Sequence, residues 1–228
     1  MKRTAGMALL RRHAGYFRRA AILLTLLVAG TPAFGANLSL VLLRKDGRPL
    51  SGAIVTAEPE SQKLPPATPQ KAIVDQLDLA FVPDVIVVPL GSSVSFPNSD
   101  LVSHQVYSFS PARRFQLPLY RGKQHPAVVF DQPGIVTLGC NIHDNMVAYV
   151  VVTSAPFFGR TNEQGHWSIP NAPEGTYRVK VWHPWLKDPT VMLDRPVRLG
   201  GGDTDVVLKI DETIRSAPLK GHPHSWDY

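Results

Sequence analysis

The chain has 228 residues with 24 basic and 18 acidic side chains, a formal charge of +6, and that length admits one large or two small domains. Six of the basic residues (Lys2, Arg3, Arg11, Arg12, Arg18 and Arg19) lie in the first 35 positions, which hold no acidic residue. The remainder is neutral, so the charge gives no support to a nucleic-acid-binding class, and the single cysteine excludes an internal disulfide and an iron–sulfur cluster.

Residues 1–35 follow the order of a secretory signal peptide: basic residues, an apolar run over 20–29, then small residues around Ala33, Gly35 and Ala36. The apolar run is shorter than the ~20 residues a membrane span requires. Cleavage after Gly35 or Ala36, a periplasmic location and no span in the mature chain are expected, an uncleaved anchor being the alternative. Arg11-Arg12 and Arg18-Arg19 raise a twin-arginine route beside Sec export, but the residues that follow fit the twin-arginine signal poorly.

Strands are expected at 37–43 and 53–58, around the turn Lys45-Asp46-Gly47-Arg48-Pro49. Pro59, Pro65, Pro66 and Pro69 then mark a linker or domain crossing. Short β segments follow at 72–77, 85–88, 93–96, 104–109, 115–117, 127–130, 134–138 and 147–152. Short strands separated by Gly and Pro turns, with no amphipathic helix, give an all-β fold class. Alternation in Ser93-Val94-Ser95-Phe96 directs Val94 and Phe96 to the core. Beyond Pro156, turns at Gly165 and Gly175 call for positive φ, and strands are expected at 177–182, 190–193 and 204–210. Trp182, His183 and Trp185 read as core or edge packing. Residues 212–228 lack periodicity and read as a flexible tail, in which His222 and His224 offer at most a weak metal site.

The chemistry concentrates in Gly139-Cys140-Asn141-Ile142-His143-Asp144-Asn145-Met146, a tight loop between two valine-rich runs. Cys140, His143 and Met146 have the spacing Cys-x2-His-x2-Met. A thiolate, two imidazoles and a weak axial thioether make a mononuclear copper site of the blue type, in which sulfur favours Cu(I) and imidazole accepts Cu(II). The second imidazole must come from another strand, and His104 is the candidate. A free thiol in an oxidising compartment is a liability unless ligated or buried, which favours ligation for Cys140. Structural zinc would call on more thiolates or on no thioether. No histidine neighbours Cys140, as a relay to a trinuclear copper cluster would need, and a dinuclear copper centre would need a second cysteine. No nucleophile with base and orienter at recognisable spacing is visible, so a non-enzymatic role is expected.

With these residues in place, the segment from about 71 to 153 resembles a cupredoxin of the plastocyanin and amicyanin type. The Cys140/His143/Met146 spacing and Asn98 six residues before His104 carry the likeness. The chain departs from the pattern at Gln105, where asparagine is usual, at Asn141-Ile142, which replace a proline-containing pair, and at Asp144, which replaces a proline. The resemblance implies a Greek-key sandwich over 67–156. It also implies that Asn98 ties the histidine strand to the cysteine loop from outside the metal's ligand set, and that His143 is the solvent-facing ligand at the edge where electrons leave. Residues 161–181, with Pro173-Glu-Gly175-Thr-Tyr177, resemble the second half of a carboxypeptidase regulatory-like, transthyretin-type sandwich, whose first half resembles 46–53. That likeness implies a second, smaller, discontinuous sandwich from 36–66 and 157–211. The expected function is transfer of single electrons between periplasmic redox partners, a dehydrogenase and a cytochrome or oxidase, by analogy in methylamine-type oxidation. The alternative is copper storage, delivery or sensing without electron shuttling.

Overall fold

The computed structural model describes residues 36–122 and 125–211, so the expected signal peptide and tail lie outside the described residues. Among these the fold is all-β, with no helix, and no helix is long and apolar enough to cross a membrane.

Strand β1 (Ala36–Arg44) buries Leu38, Leu40 and Leu42 on one face, the period-2 pattern of a half-covered strand. It pairs antiparallel with β14 (His166–Ala172) and parallel with β17 (Thr204–Ile210). Facing this sheet is a second one in the order β13 (Phe157–Arg160), β2 (Ile54–Pro59), β15 (Gly175–Trp182), β16 (Leu193–Leu199). The chain leaves this sheet after β2 and returns as β13, and those two strands pair directly, Phe157 opposite Ala57 and Arg160 opposite Ile54. Val55, Ala57, Tyr177, Val179 and Val181 fill the core with the β1 leucines.

Between β2 and β13 the chain builds two further sheets and a hairpin. One sheet has β3 (Lys71–Ile73), β7 (Ser92–Ser95) and β10 (Val128–Phe130). The other runs in the order β6 (Val85–Pro89), β12 (Val147–Thr153), β11 (Gly134–Gly139), β8 (Tyr107–Ser108), β9 (Phe115–Gln116). The hairpin β4 (Asp75–Leu77) and β5 (Ala80–Val82) pairs with neither sheet, and its Phe81 enters the core between them. Val94, Phe130, Val136, Leu138 and Val150 make the core between these sheets. Val94 and Phe96 are buried as their alternation requires.

The interior strand β12 is valine-rich because both its faces are covered. Ala148, Val150 and Val152 enter the core that also holds Cys140 and Met146, whereas Val151 and Tyr149 belong to the β1/β2/β15 core. Val85 and Val87 of β6 and Ile135 of β11 also turn toward that second core.

Some strand expectations are corrected. The strand expected at 72–77 is divided into β3 and β4, and that expected at 104–109 shrinks to Tyr107–Ser108. The strand expected at 190–193 lies instead at Leu193–Leu199, across Pro196; β16 is the outermost strand of its sheet, where a missing N–H is tolerated. Gly165 and Gly175 take φ of 72° and 142°, and a Cβ on Gly165 would fall 2.4 Å from the Leu42 carbonyl oxygen.

Candidate metal centre

Cys140 follows the last residue of β11 and Met146 precedes the first of β12, so the Gly139/Val147 end of an antiparallel pair clamps both ends of the loop. The loop closes on itself through the Met146 N–H, which donates to the His143 carbonyl at 3.0 Å. Ahead of Cys140, Gly139 lies under the Tyr107 ring; a Cβ there would meet it at 2.8 Å.

His104 reaches the same place from a different segment. It forms an isolated bridge with Tyr120, its N–H donating to the Tyr120 carbonyl and the Tyr120 N–H to its own carbonyl, both at 2.9 Å. The Tyr120 hydroxyl is anchored below, donating to the Phe96 carbonyl at 2.6 Å and accepting from Gln76 Nε2 at 2.5 Å. Burial raises the Tyr120 phenol above its ordinary value.

The donor atoms converge. His104 Nδ1 and His143 Nδ1 are 3.1 Å apart, and Cys140 Sγ lies 3.9 Å from the first and 3.7 Å from the second. A triangle with these sides has a circumscribed circle of radius about 2.1 Å, within the ~2.0–2.3 Å that a divalent ion keeps from imidazole nitrogen and thiolate sulfur. The spacing of the three donors therefore suits one ion. His104 and Cys140 are buried and His143 is half-buried at the surface. Met146 is buried in the same apolar cluster as Cys140. Among the described residues this is the one cluster of three or more His, Cys or carboxylate side chains with metal-binding geometry.

His104 Nε2 is 3.0 Å from an oxygen of Asp100. The carboxylate accepts, so Nε2 carries the proton and Nδ1 is left bare, a tautomer assigned from the bonding network. The 3.1 Å contact is then a hydrogen bond from His143 Nδ1–H to His104 Nδ1. Binding a metal displaces that proton. Partial burial holds His143 below the usual histidine value, so its ring is neutral near pH 7. Asp100 is held below the usual carboxylate value by the Leu79 N–H, then by the bond to His104.

Asn98 commits both amide hydrogens to carbonyls, of Val102 at 3.0 Å and Tyr120 at 2.8 Å, and its oxygen accepts from the Asp100 N–H at 3.0 Å. Its bonds tie the His104 segment to Tyr120 rather than to the cysteine loop, a departure from the role the resemblance implies. Gln105 donates to the Leu117 carbonyl at 2.9 Å. Sequence reasoning missed Asp100 and Tyr120; the Asn98-x-Asp100-x3-His104 spacing was the available signal. Trp182 and His183 are buried and Trp185 half-buried in the second sandwich, His183 bonded to the Ser51 carbonyl at 3.2 Å.

No protein-family model matches this sequence, and no curated protein matches it. Solved structures similar to it include a purple cupredoxin from Nitrosopumilus maritimus, 22% identical over 36% of this chain and 99% of that one, at a TM-score of 0.33. A Cu(I) form of an amicyanin variant is 20% identical over 36% of this chain and 80% of that one, at 0.33. A pseudoazurin from Sinorhizobium is 23% identical over 38% of this chain and 76% of that one, at 0.30.

Proposed function

We propose that the protein holds one copper ion between His104, Cys140 and His143, with Met146 as a weak axial ligand, and passes single electrons between redox partners. The observation that carries this reading is the donor triangle, sized for one ion at bonding distance from two Nδ1 atoms and a thiolate sulfur. Copper bound there supplies reversible one-electron Cu(II)/Cu(I) chemistry. The chain's own residues supply the rest. His104 is fixed by its bridge to Tyr120 and by Asp100, Cys140 by the end of β11, and Met146 by the start of β12, so the donors stay in place in both oxidation states.

His143 is the route to the surface. Leu79, Leu101, Val102, Leu119 and Ile142 are exposed and each lies within two residues of a group that forms or braces the site. Exposed apolar side chains of this kind fit docking of protein partners, a dehydrogenase as electron donor and a cytochrome or oxidase as acceptor. A periplasmic setting rests on the signal-like start of the sequence, and a place in amine oxidation rests on the loop spacing alone. We read residues 36–66 and 157–211 as one split sandwich of carboxypeptidase regulatory-like type around a cupredoxin unit at 67–156. The direct β2–β13 pairing supports that reading.

The test is to load the copper-free protein with Cu(II) and then cycle it. Expected are an intense thiolate-to-copper band in the visible, absent in Cys140→Ser, and one-electron cycling at neutral pH with the metal retained against a modest chelator. A colourless complex overturns the copper site. Release on reduction replaces the carrier with a copper store or delivery module.

A further inference from the structure

We propose that Asp100 is a positioning residue of this site, locking His104 in the one tautomer that binds metal and, through its negative charge, favouring the oxidised ion. The inference rests on the copper reading above.

The carboxylate is itself held from several directions. One oxygen accepts the Leu79 N–H at 2.9 Å and faces His104 Nε2 at 3.0 Å. The other accepts the Leu101 N–H at 2.8 Å. The Asp100 N–H is tied to the Asn98 side-chain oxygen at 3.0 Å. Leu79 delivers its N–H from a left-handed backbone, φ 57°, beside Asp78 at φ 51°, a conformation costly for a bulky side chain. The β4–β5 hairpin thus spends backbone strain at the turn that donates to Asp100. The Asp100 side chain is 14% exposed and that of His104 0%, so little water competes for the bond.

A carboxylate accepting from the far nitrogen of a ligating imidazole fixes the ring's orientation and makes the near nitrogen a better donor. Its charge also lies two bonds and one ring away from the metal position, where it stabilises the higher charge state more than the lower. Asp100 therefore tightens Cu(II) more than Cu(I) and lowers the reduction potential.

Asp100→Asn removes the charge but keeps an oxygen able to accept from Nε2–H, whereas Asp100→Ala removes both. Measured on the full chain, Cu(II) affinity falls about 10–100-fold in Asp100→Ala. The potential rises in both variants, by about 59 mV for each tenfold loss of Cu(II) over Cu(I) affinity, and the visible band persists in Asp100→Asn. A second readout needs no metal: nitrogen-15 NMR of the copper-free wild type gives His104 as the Nε2–H tautomer with a strongly hydrogen-bonded ring proton, whose signature is lost in Asp100→Ala. Equal potentials in wild type and Asp100→Asn, or an Nδ1–H tautomer in the wild type, overturn the role of Asp100. A wild type that forms no thiolate band overturns the copper reading instead, and the NMR result still decides what Asp100 does to His104.

Discussion

The Tyr149 ring meets Trp182 edge-on, centroids 5.1 Å apart and planes at 61°, and this contact joins the two sandwiches. Tyr149 lies on β12, whose alternate residues Ala148 and Val150 pack in the core with Cys140 and Met146. Trp182 closes β15, fully buried in the other core. One strand thus serves both cores, and the loop that carries Cys140, His143 and Met146 is continuous with it.

Trp182→Ala is therefore expected to cost about 3–5 kcal/mol, as for other buried aromatic truncations, and to lower the stability of the copper site as well as of the second sandwich. In the wild type, loss of the thiolate band and of tryptophan fluorescence should coincide during urea unfolding, as one cooperative unit requires. Two separated transitions would mean that the shared strand does not couple the sandwiches.

Tyr120→Phe tests the platform beneath His104. Removing the hydroxyl leaves the Phe96 carbonyl without its donor and Gln76 Nε2 with the Pro97 carbonyl alone. The expected loss is about 1–3 kcal/mol, the range for orphaning buried polar groups. Because the Tyr120 backbone brackets His104, copper dissociation should also be faster. Unfolding of the copper-free protein and stopped-flow transfer of copper to a chelator measure the two effects.

His183 gives a pH dependence whose sign is fixed. Burial, outweighing its bond to the Ser51 carbonyl, lowers its value to about 4, with Arg44 and Arg160 acting in the same direction and Asp84 against them. Its Nδ1 accepts the Trp185 N–H at 3.2 Å, so protonation breaks that bond. The unfolded chain, near pKa 6.5, binds the proton more readily than the folded one. The contribution is complete above about pH 6.5 and is lost as pH falls toward 4, amounting to about 3 kcal/mol. Comparing urea midpoints of wild type and His183→Asn from pH 7.5 to 4 checks this; the wild type should lose more stability over the window. Parallel curves would assign the slope to other groups.

The meeting of Cys140 and His143 was legible because they lie, with Met146, within seven residues between two valine-rich strands, so local spacing carried the geometry. His104 was legible from chemistry, the missing imidazole, and not from its expected strand: it sits outside β8, held by a bridge to Tyr120. Asp100 was not legible. A carboxylate four residues before a histidine reaches it only because Leu79 and Asn98 fold the loop back, and those contacts are non-local. Strands β14 and β16 were obscured by Pro170 and Pro196, although Leu193, Val197 and Leu199 keep the inward alternation. Both are outer strands of their sheets, where proline is tolerated.

Met146 separates packing from ligation. It is 1% exposed in the core cluster that contains Cys140, Leu138 and Ala148, so any substitution there acts on stability as well as on copper. Met146→Ala leaves a cavity and should cost about 2–5 kcal/mol, admitting water beside the thiolate. Met146→Leu conserves volume and should cost less than about 1.5 kcal/mol, while removing the sulfur. The axial ligand tunes the reduction potential of such a site, and removing its electron donation without admitting water should raise that potential. The visible band belongs to Cys140 and should survive. Voltammetry and the absorption spectrum of Met146→Leu measure the two together. An unchanged potential with an unchanged band would leave Met146 a core residue and the site three-coordinate.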